Sequence, residues 1–381
     1  MDGRDFWWLL YALLGLLLGS FSLVLYWLAQ TRKPLRLRRH AHNPIVRPLP
    51  EHWWESEAVF NPGVVYWGGK VHLFYRAIGK DGVSRIGYAS SEDGTHFVRG
   101  TQPVYDPSTQ SLARAALSRT HSPLSYATLT YDTAHGSGGG WGGSEDPRAV
   151  VLGGQLYLTF TLFEGWNSER IGFASLPLEF LAEQKFIWDS GYYLSAPGQV
   201  QKNWLLFPEK INGKYAILHS ISPTVEVAYR DTLEEVGRGE PYIDSYQGPR
   251  KGGREGRWDA RVRGAGTPPI KTSQGWLVLY HGFDPAHAEV GYKVGAMLLD
   301  TRDPTKILYR SAEPILAPEE WYENEWKAGV VYASGACIVG DDLFVYYGGG
   351  DKYIAAAKIN LRAFLRKLAT HKHAELQPVE V

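Results

Sequence analysis

One strand motif recurs five times along this 381-residue chain, and a chain that repeats a strand unit has few ways to fold. The first copy, residues 61–94, reads NPGVVYWGGKVHLFYRAIGKDGVSRIGYASSEDG. It predicts a strand over Val64–Trp67, a Gly-Gly turn, a strand over Val71–Arg76, a Gly-containing turn and a strand over Ser84–Ser90. Apolar residues alternate through Val71, Leu73 and Tyr75, the period of a strand with one buried face. The second copy opens at EDPRAVVLGGQLYLTFTLFEG, with Ile171–Ser175 as its third strand. The third is LFPEKINGKYAILHSI (206–221), the fourth TPPIKTSQGWLVLYHGFD (267–284), and the fifth VVYASGACIVGDDLFVYYGGGDKYIAAAKI (330–359). Units of this kind bury both faces when stacked radially, and closing the ring removes exposed sheet edges. The expectation is an all-β fold, a five-bladed β-propeller over residues 43–359, with a long-looped β-sandwich as the alternative. Residues 101–141 and the basic, Gly-rich stretch 248–257 fit no blade and read as insertions. The basic tail, 360–381, opens with a short amphipathic helix pattern over Leu361–Leu368.

Ahead of the repeats, residues 6–29 (FWWLLYALLGLLLGSFSLVLYWLA) carry no charge. As a helix with about 1.5 Å rise per residue they reach roughly 36 Å, enough for the hydrocarbon core of a bilayer. Trp7, Trp8, Tyr11, Tyr26 and Trp27 lie near the two ends, where interfacial rings belong. Asp2, Arg4 and Asp5 precede the run, and Arg32, Lys33, Arg36, Arg38 and Arg39 follow it, the reverse of a signal peptide. The reading is a single transmembrane helix in the inner or plasma membrane. Residues 1–5 lie outside, 30–42 form a basic linker against anionic headgroups, and the folded domain faces the cytoplasm.

Forty basic and forty acidic residues cancel, so no global field draws nucleic acid. Fourteen Trp and 23 Tyr suit shallow, half-wet clefts where a sugar ring lies on a flat apolar face, although β-rich domains also collect aromatics for packing. Cys337 is the only cysteine, which excludes an intrachain disulfide. The twelve His lack ligand spacing, and no metal site is expected.

Candidate chemistry gathers where the inner strands begin. Five such places are Asn61-Pro62, Glu145-Asp146-Pro147-Arg148, Phe207-Pro208-Glu209-Lys210, Thr267-Pro268-Pro269 and the stretch around Tyr332–Ser334. A proline fixes the backbone beside a polar side chain and so holds its direction. Asn61, Glu145 and Glu209 are thereby candidates for binding. Asp146, next to Glu145, has the setting of a carboxyl group that gives a proton to a leaving oxygen. A turn cap, or an ion pair with Arg148, is its plainer role. Arg76, Arg148, Arg170, Lys210 and His281 fall at strand ends, and several cations on one rim suit an oxyanion such as phosphate. Singly, each also reads as a surface ion-pair partner. Asp284 and Asp351 are further carboxylates, the latter after a glycine run that permits close backbone approach.

These residues carry a likeness. FNPG (60–63), LFYRA (73–77), GSEDPR (143–148), LFPEK (206–210), GAGTPPI (264–270), GWLVLYHG (275–282) and YYGGGD (346–351), in that order, resemble glycoside hydrolase family 130, the inverting β-mannoside phosphorylases and related hydrolases. The likeness runs from about Asn43 through Ile359. It implies a five-bladed propeller enzyme in which the aspartate of EDPR, Asp146, is the general acid. Inorganic phosphate is the co-substrate and no other cofactor is needed. By the same likeness Arg148, Arg170, Lys210 and His281 would hold phosphate, and Asn61, Arg76, Glu145, Glu209, Asp284 and Asp351 would line the sugar site. The implied reaction is phosphorolysis, or reverse synthesis, of a β-mannoside through α-mannose 1-phosphate. Inverting hydrolysis, or a membrane-tethered mannosyl transfer from an activated donor, is the alternative. Linkage and oligomeric state stay open.

Overall fold

Short apolar runs separated by Gly-Gly and Asn-Gly pairs have room to bury themselves only as antiparallel hairpins, and hairpins make up most of this molecule. The structure, a computed structural model, describes residues 7, 11, 13–22, 35–117, 138–163, 169–189, 191–233, 241–246 and 253–371. The chain divides into two units, Met1–Leu35 and Arg36–Val381.

In the first unit, residues 13–22 are helical. Such a run reaches about 15 Å, half of a hydrocarbon core. Among the described residues no helix is long and apolar enough to cross a membrane. This overturns the transmembrane helix expected over 6–29, together with the membrane partner, the inner-membrane location and the cytoplasmic orientation that rested on it. The remainder of that stretch, 6, 8–10, 12 and 23–29, lies outside the described residues, as do 118–137 and 248–252 of the two expected insertions and 372–381 of the tail.

The described residues of the second unit form four sheets. The first two segments form one eight-stranded sheet: Ala58–Trp67, Lys70–Ile78, Val83–Ser91, Gly142–Leu152, Gln155–Phe163, Glu169–Pro177 and Tyr192–Tyr193, with Val98–Arg99 beside the third strand. The third segment contributes Leu205–Leu206, Tyr215–Ser220 and Glu226–Arg230. A five-stranded sheet holds Arg261–Ala265, Gly275–Phe283, Lys293–Leu299 and Ile307–Arg310, with Ile270–Thr272 paired to its second strand. The last sheet orders Arg38–Arg39, Tyr353–Asn360, Asp342–Gly349 and Val331–Val339, so the start of this unit pairs with its final strand. Helices cover Ser111–Leu117, Leu178–Ala182 and Leu361–Leu368.

This is a mixed α/β fold dominated by sheets, and it corrects the all-β, five-bladed propeller. Among the described residues four sheets stand in place of five blades, and none is closed on itself. The boundary expected between the first two segments is bridged by a parallel pairing of Val83 and Ser84 with Gly142 and Gly143. Glycine makes that bridge feasible, because a Cβ on Gly143 would lie 2.2 Å from the Ser84 carbonyl oxygen. The edges of two hairpins thus satisfy each other directly, which is an alternative to ring closure.

Four of the strands carry an irregularity close to a residue already singled out in the sequence or a glycine. Register shifts fall between Phe60 and Gly63, between Glu145 and Arg148, between Val262 and Gly264, and between Ala333 and Gly335. At the first two, the bulged residues are Asn61 (φ 48°) and Asp146 (φ 49°), left-handed backbone that Asn and Asp tolerate better than other side chains. These strands also touch backbone to backbone. Ser334 Oγ donates to the Pro62 carbonyl at 3.1 Å, and a Cβ on Gly335 would meet Val64 Cγ2 at 2.2 Å and Pro62 O at 2.5 Å. Apolar side chains fill the space between hairpins, for example Phe74, Tyr88, Tyr105, Phe160 and Leu158 in the first sheet.

Gly335→Ala is expected to destabilise the folded chain by about 1–3 kcal/mol, because a methyl group is forced against the backbone of a neighbouring strand. The shift in urea midpoint at unchanged slope measures it, and an unshifted midpoint contradicts the packing.

Candidate active site

The bulges aim polar side chains at one place. A cavity of about 250 Å³ opens there, and Asn61, Arg76, Asp146 and Asp351 line it. Asp146 has its side chain 11% exposed, enough to meet a ligand. Its Oδ1 accepts a hydrogen bond from Asn61 Nδ2 at 2.8 Å and lies 3.6 Å from Arg76 Nη1. Burial alone would push this carboxyl up, but Arg76, Arg148 and Lys202, with the Asn61 bond, outweigh it and hold the group below the usual carboxylate range. Asp351 sits at the tip of the hairpin between Asp342–Gly349 and Tyr353–Asn360 with φ 52°, and pairs with Lys327 Nζ at 3.0 Å.

Behind the cavity wall lies a buried ion-pair lattice. Glu145 is fully buried, 2.9 Å from Arg76 Nη2 and 3.3 Å from Lys202 Nζ. Lys202 also reaches Glu169 at 3.2 Å. Burial disfavours the ammonium charge, and Glu145 and Glu169 more than compensate, so its pKa is raised. Burial raises the Glu169 pKa in turn. Arg76 is further fixed by Ser84 Oγ at 3.0 Å and by the Phe60 ring, 4.9 Å from its guanidinium carbon.

The cations expected to share one rim separate into groups. Arg148 is buried and donates to the carbonyls of Gly266 (2.5 Å) and Asp146 (2.8 Å), so it braces the bulge. His281 is wholly buried and stacks on Tyr332 with centroids 3.8 Å apart. Burial first, and Arg148 second, push its pKa down to about 3, so it is a neutral ring at ordinary pH. Arg170 donates to the Ser195 carbonyl at 2.8 Å and lies 3.5 Å from the Tyr193 ring centre, off the cavity lining. Lys210 is exposed and lies over Tyr215. Glu209 is exposed and pairs with Lys271. Asp284 accepts from the Ala286 amide at 3.0 Å and contacts the His287 ring. The structure therefore brings Asn61, Arg76, Asp146 and Asp351 together, sets Glu145, Arg148 and His281 close behind, and leaves Arg170, Lys210, Glu209 and Asp284 outside the lining.

Lys202, Asn203, Arg263, Tyr292 and Lys327 also line the cavity, and sequence reasoning did not select them, whereas Tyr332, which lines it too, falls in one of the five stretches named from the sequence. Lys202 and Asn203 precede the short strand Leu205–Leu206, and Asn203 has φ 64°. A polar pair ahead of the apolar run in KNWLLF was the available signal. Arg263 lies within the bulged strand Arg261–Ala265, upstream of Thr267-Pro268.

Two carboxylates, Asp146 and Asp351, among convergent cations in a cleft with aromatic walls suit a carbohydrate-active enzyme of the glycoside phosphorylase or hydrolase type. Comparison with known proteins gives the same class. Residues 137–369 match the family described as beta-1,4-mannooligosaccharide phosphorylase. The chain is 33% identical over 339 residues to a 1,2-beta-oligomannan phosphorylase of Thermoanaerobacter sp. (strain X514), covering 86% of this chain and 98% of that protein. It is 34% identical over 341 residues to a beta-1,2-mannobiose phosphorylase of the same organism, covering 85% and 97%. Among solved structures, the beta-1,2-mannobiose phosphorylase of Listeria innocua superposes with a TM-score of 0.64 at 26% identity, over 88% of this chain and 99% of that one. The chain belongs to glycoside hydrolase family 130.

The buried His281 carries a prediction. An unfolded chain binds its proton near pH 6.5, whereas the folded one does so only near 3, so stability is lost as pH falls through that window. Between pH 7 and about 4.5 this residue should account for a loss of about 3 kcal/mol. His281→Phe, which keeps a ring on Tyr332, should lose correspondingly less over that range in urea titrations. An equal loss in both proteins contradicts the assignment.

Proposed function

We propose that this chain catalyses inverting phosphorolysis of a β-mannoside, releasing α-mannose 1-phosphate, and the reverse synthesis. A β-1,2 linkage is favoured by the names of the relatives that match most of its length. The observation that carries the reading is Asp146, a carboxyl group on a cavity whose other polar walls include Arg76, Lys202, Arg263 and Lys327. In the forward direction protonated Asp146 gives its proton to the glycosidic oxygen and the C1–O bond breaks. A phosphate oxygen forms the new C1–O bond from the opposite face, which turns a β-linkage into an α-phosphate. Asp146 is left ionised and the acceptor sugar leaves as an alcohol. No protein nucleophile is required, since inversion takes one displacement. Lys202 and Arg263 are the proposed phosphate contacts, in place of the outlying Arg170 and Lys210. Asn61 orients the acid by holding Oδ1, and the left-handed bulge fixes where the carboxyl points.

Asp351 supports a second reading. An inverting hydrolase needs another carboxylate to activate water across the sugar, and Asp351 lines the same cavity. Its 3.0 Å ion pair with Lys327 already engages the carboxylate that would have to take up the proton of that water.

Incubation with β-1,2-, β-1,3- and β-1,4-mannobiose, with and without inorganic phosphate, separates these readings. Phosphate-dependent release of α-mannose 1-phosphate is expected, with the β-1,2 substrate preferred. Mannose release at the same rate without phosphate overturns phosphorolysis in favour of hydrolysis. Asp146→Asn is expected to lower kcat by about 10²–10⁴-fold while the fold is kept, because Asn also accepts a left-handed backbone. Turnover equal to the parent's removes Asp146 from the mechanism.

A further inference from the structure

The site presents a conflict: the group required as an acid is surrounded by charges that favour its ionised form. The charges themselves suggest how the conflict resolves. Among the described residues, four cations, Arg76, Arg148, Lys202 and Arg263, stand with three carboxylates, Glu145, Glu169 and Asp146. A single positive charge is left over. The neighbouring Lys327–Asp351 pair adds nothing, and Tyr292, Tyr332 and the buried His281 ring are neutral. Entry of a dianion turns the surplus into a single negative charge. One proton returns the cluster to neutrality.

We propose that an oxyanion binding in this cavity brings one proton with it, and that the proton goes to Asp146, so that phosphate loads the acid it will later use. This rests on the phosphorolysis reading and adds the origin of the catalytic proton. The geometry selects Asp146 from the three carboxylates. Glu145 is fully buried between Arg76 and Lys202, and Glu169 is tied to Lys202 at 3.2 Å; neither lines the cavity. Asp146 does line it, with Arg76 no closer than 3.6 Å and the Asn61 bond on Oδ1, which leaves Oδ2 to carry a proton. The same Asn61 donor serves the carbonyl oxygen of the neutral acid, so protonation breaks no hydrogen bond. The incoming anion draws on the positive potential of Arg76 and Lys202, which are among the groups that keep the Asp146 carboxyl low.

Binding and protonation are then linked: through the range where Asp146 must gain its proton, affinity for the dianion falls about tenfold per pH unit. Calorimetric titration of the whole protein with inorganic phosphate at pH 8.5, in buffers of different ionisation enthalpy, counts the protons. Sulfate in place of phosphate removes the ambiguity, because it stays a dianion across the neutral range and cannot take the proton itself. The expected result is close to one proton taken up per anion with either ion, and in Asp146→Asn, anion binding without uptake and with a flat pH dependence. Binding with no uptake in the parent, uptake with phosphate alone, or uptake that persists in Asp146→Asn overturns the proposal. Phosphate that fails to bind overturns it too and takes the phosphorolysis reading with it, whereas binding without protons leaves that reading intact.

Discussion

Glu145 is the buried charge around which the site is organised. It is shielded from water and held by Arg76 at 2.9 Å and Lys202 at 3.3 Å, and through Lys202 it is tied to Glu169. A buried carboxylate is tolerated only when such partners are present, and removing one of them leaves an uncompensated charge. The requirement works in both directions. Because Glu145 demands two cations, Arg76 and Lys202 are fixed along one wall of the cavity before any ligand arrives. Because Asp146 is the next residue, the bulge that turns its side chain to the cavity is anchored by the same lattice. Arg148 completes the arrangement from the other side by holding the Asp146 carbonyl. Three of the four residues Glu145–Arg148 thus divide the work between interior pairing, cavity lining and backbone bracing.

Much of the hairpin content was legible in the sequence. Alternation through Val71, Leu73 and Tyr75 and the glycine turn at Gly68-Gly69 correspond to the strands Ala58–Trp67 and Lys70–Ile78. The higher organisation was not legible. A parallel bridge of two residues at Gly142-Gly143 leaves no periodic signal, yet it merges two segments into one sheet. The apolar run near the start misled for a different reason: hydropathy reports what a stretch would tolerate, and the helical run of described residues there is too short to span a bilayer.

The site was partly legible for a local reason. In the first two segments a proline directly follows the bulged residue, so Asn61-Pro62 and Asp146-Pro147 could be found by eye. In the third and fourth, Pro208 and Pro268 stand several residues beyond Lys202 and Arg263, and the same marker pointed to Glu209, Lys210 and Thr267 instead. Lys327 and Tyr292 reach the cavity from connections after other strands, and their convergence depends on tertiary arrangement alone. Membership of glycoside hydrolase family 130 accounts for the order of the motifs, while the ion-pair lattice accounts for why those residues stand together.

The pairing of Arg38–Arg39 with Tyr353–Asn360 sets a limit on where the amino-terminal leader can be cut. Arg39 is the cation beside the fully buried Glu323, 2.8 Å away, and Glu323 in turn accepts from the Tyr347 hydroxyl. Trimming to residue 35 spares this clasp. Trimming to residue 42 strips the outermost ribbon from the final sheet and strands an acid in the protein interior, so the lost clasp would by itself make a shortened enzyme fragile.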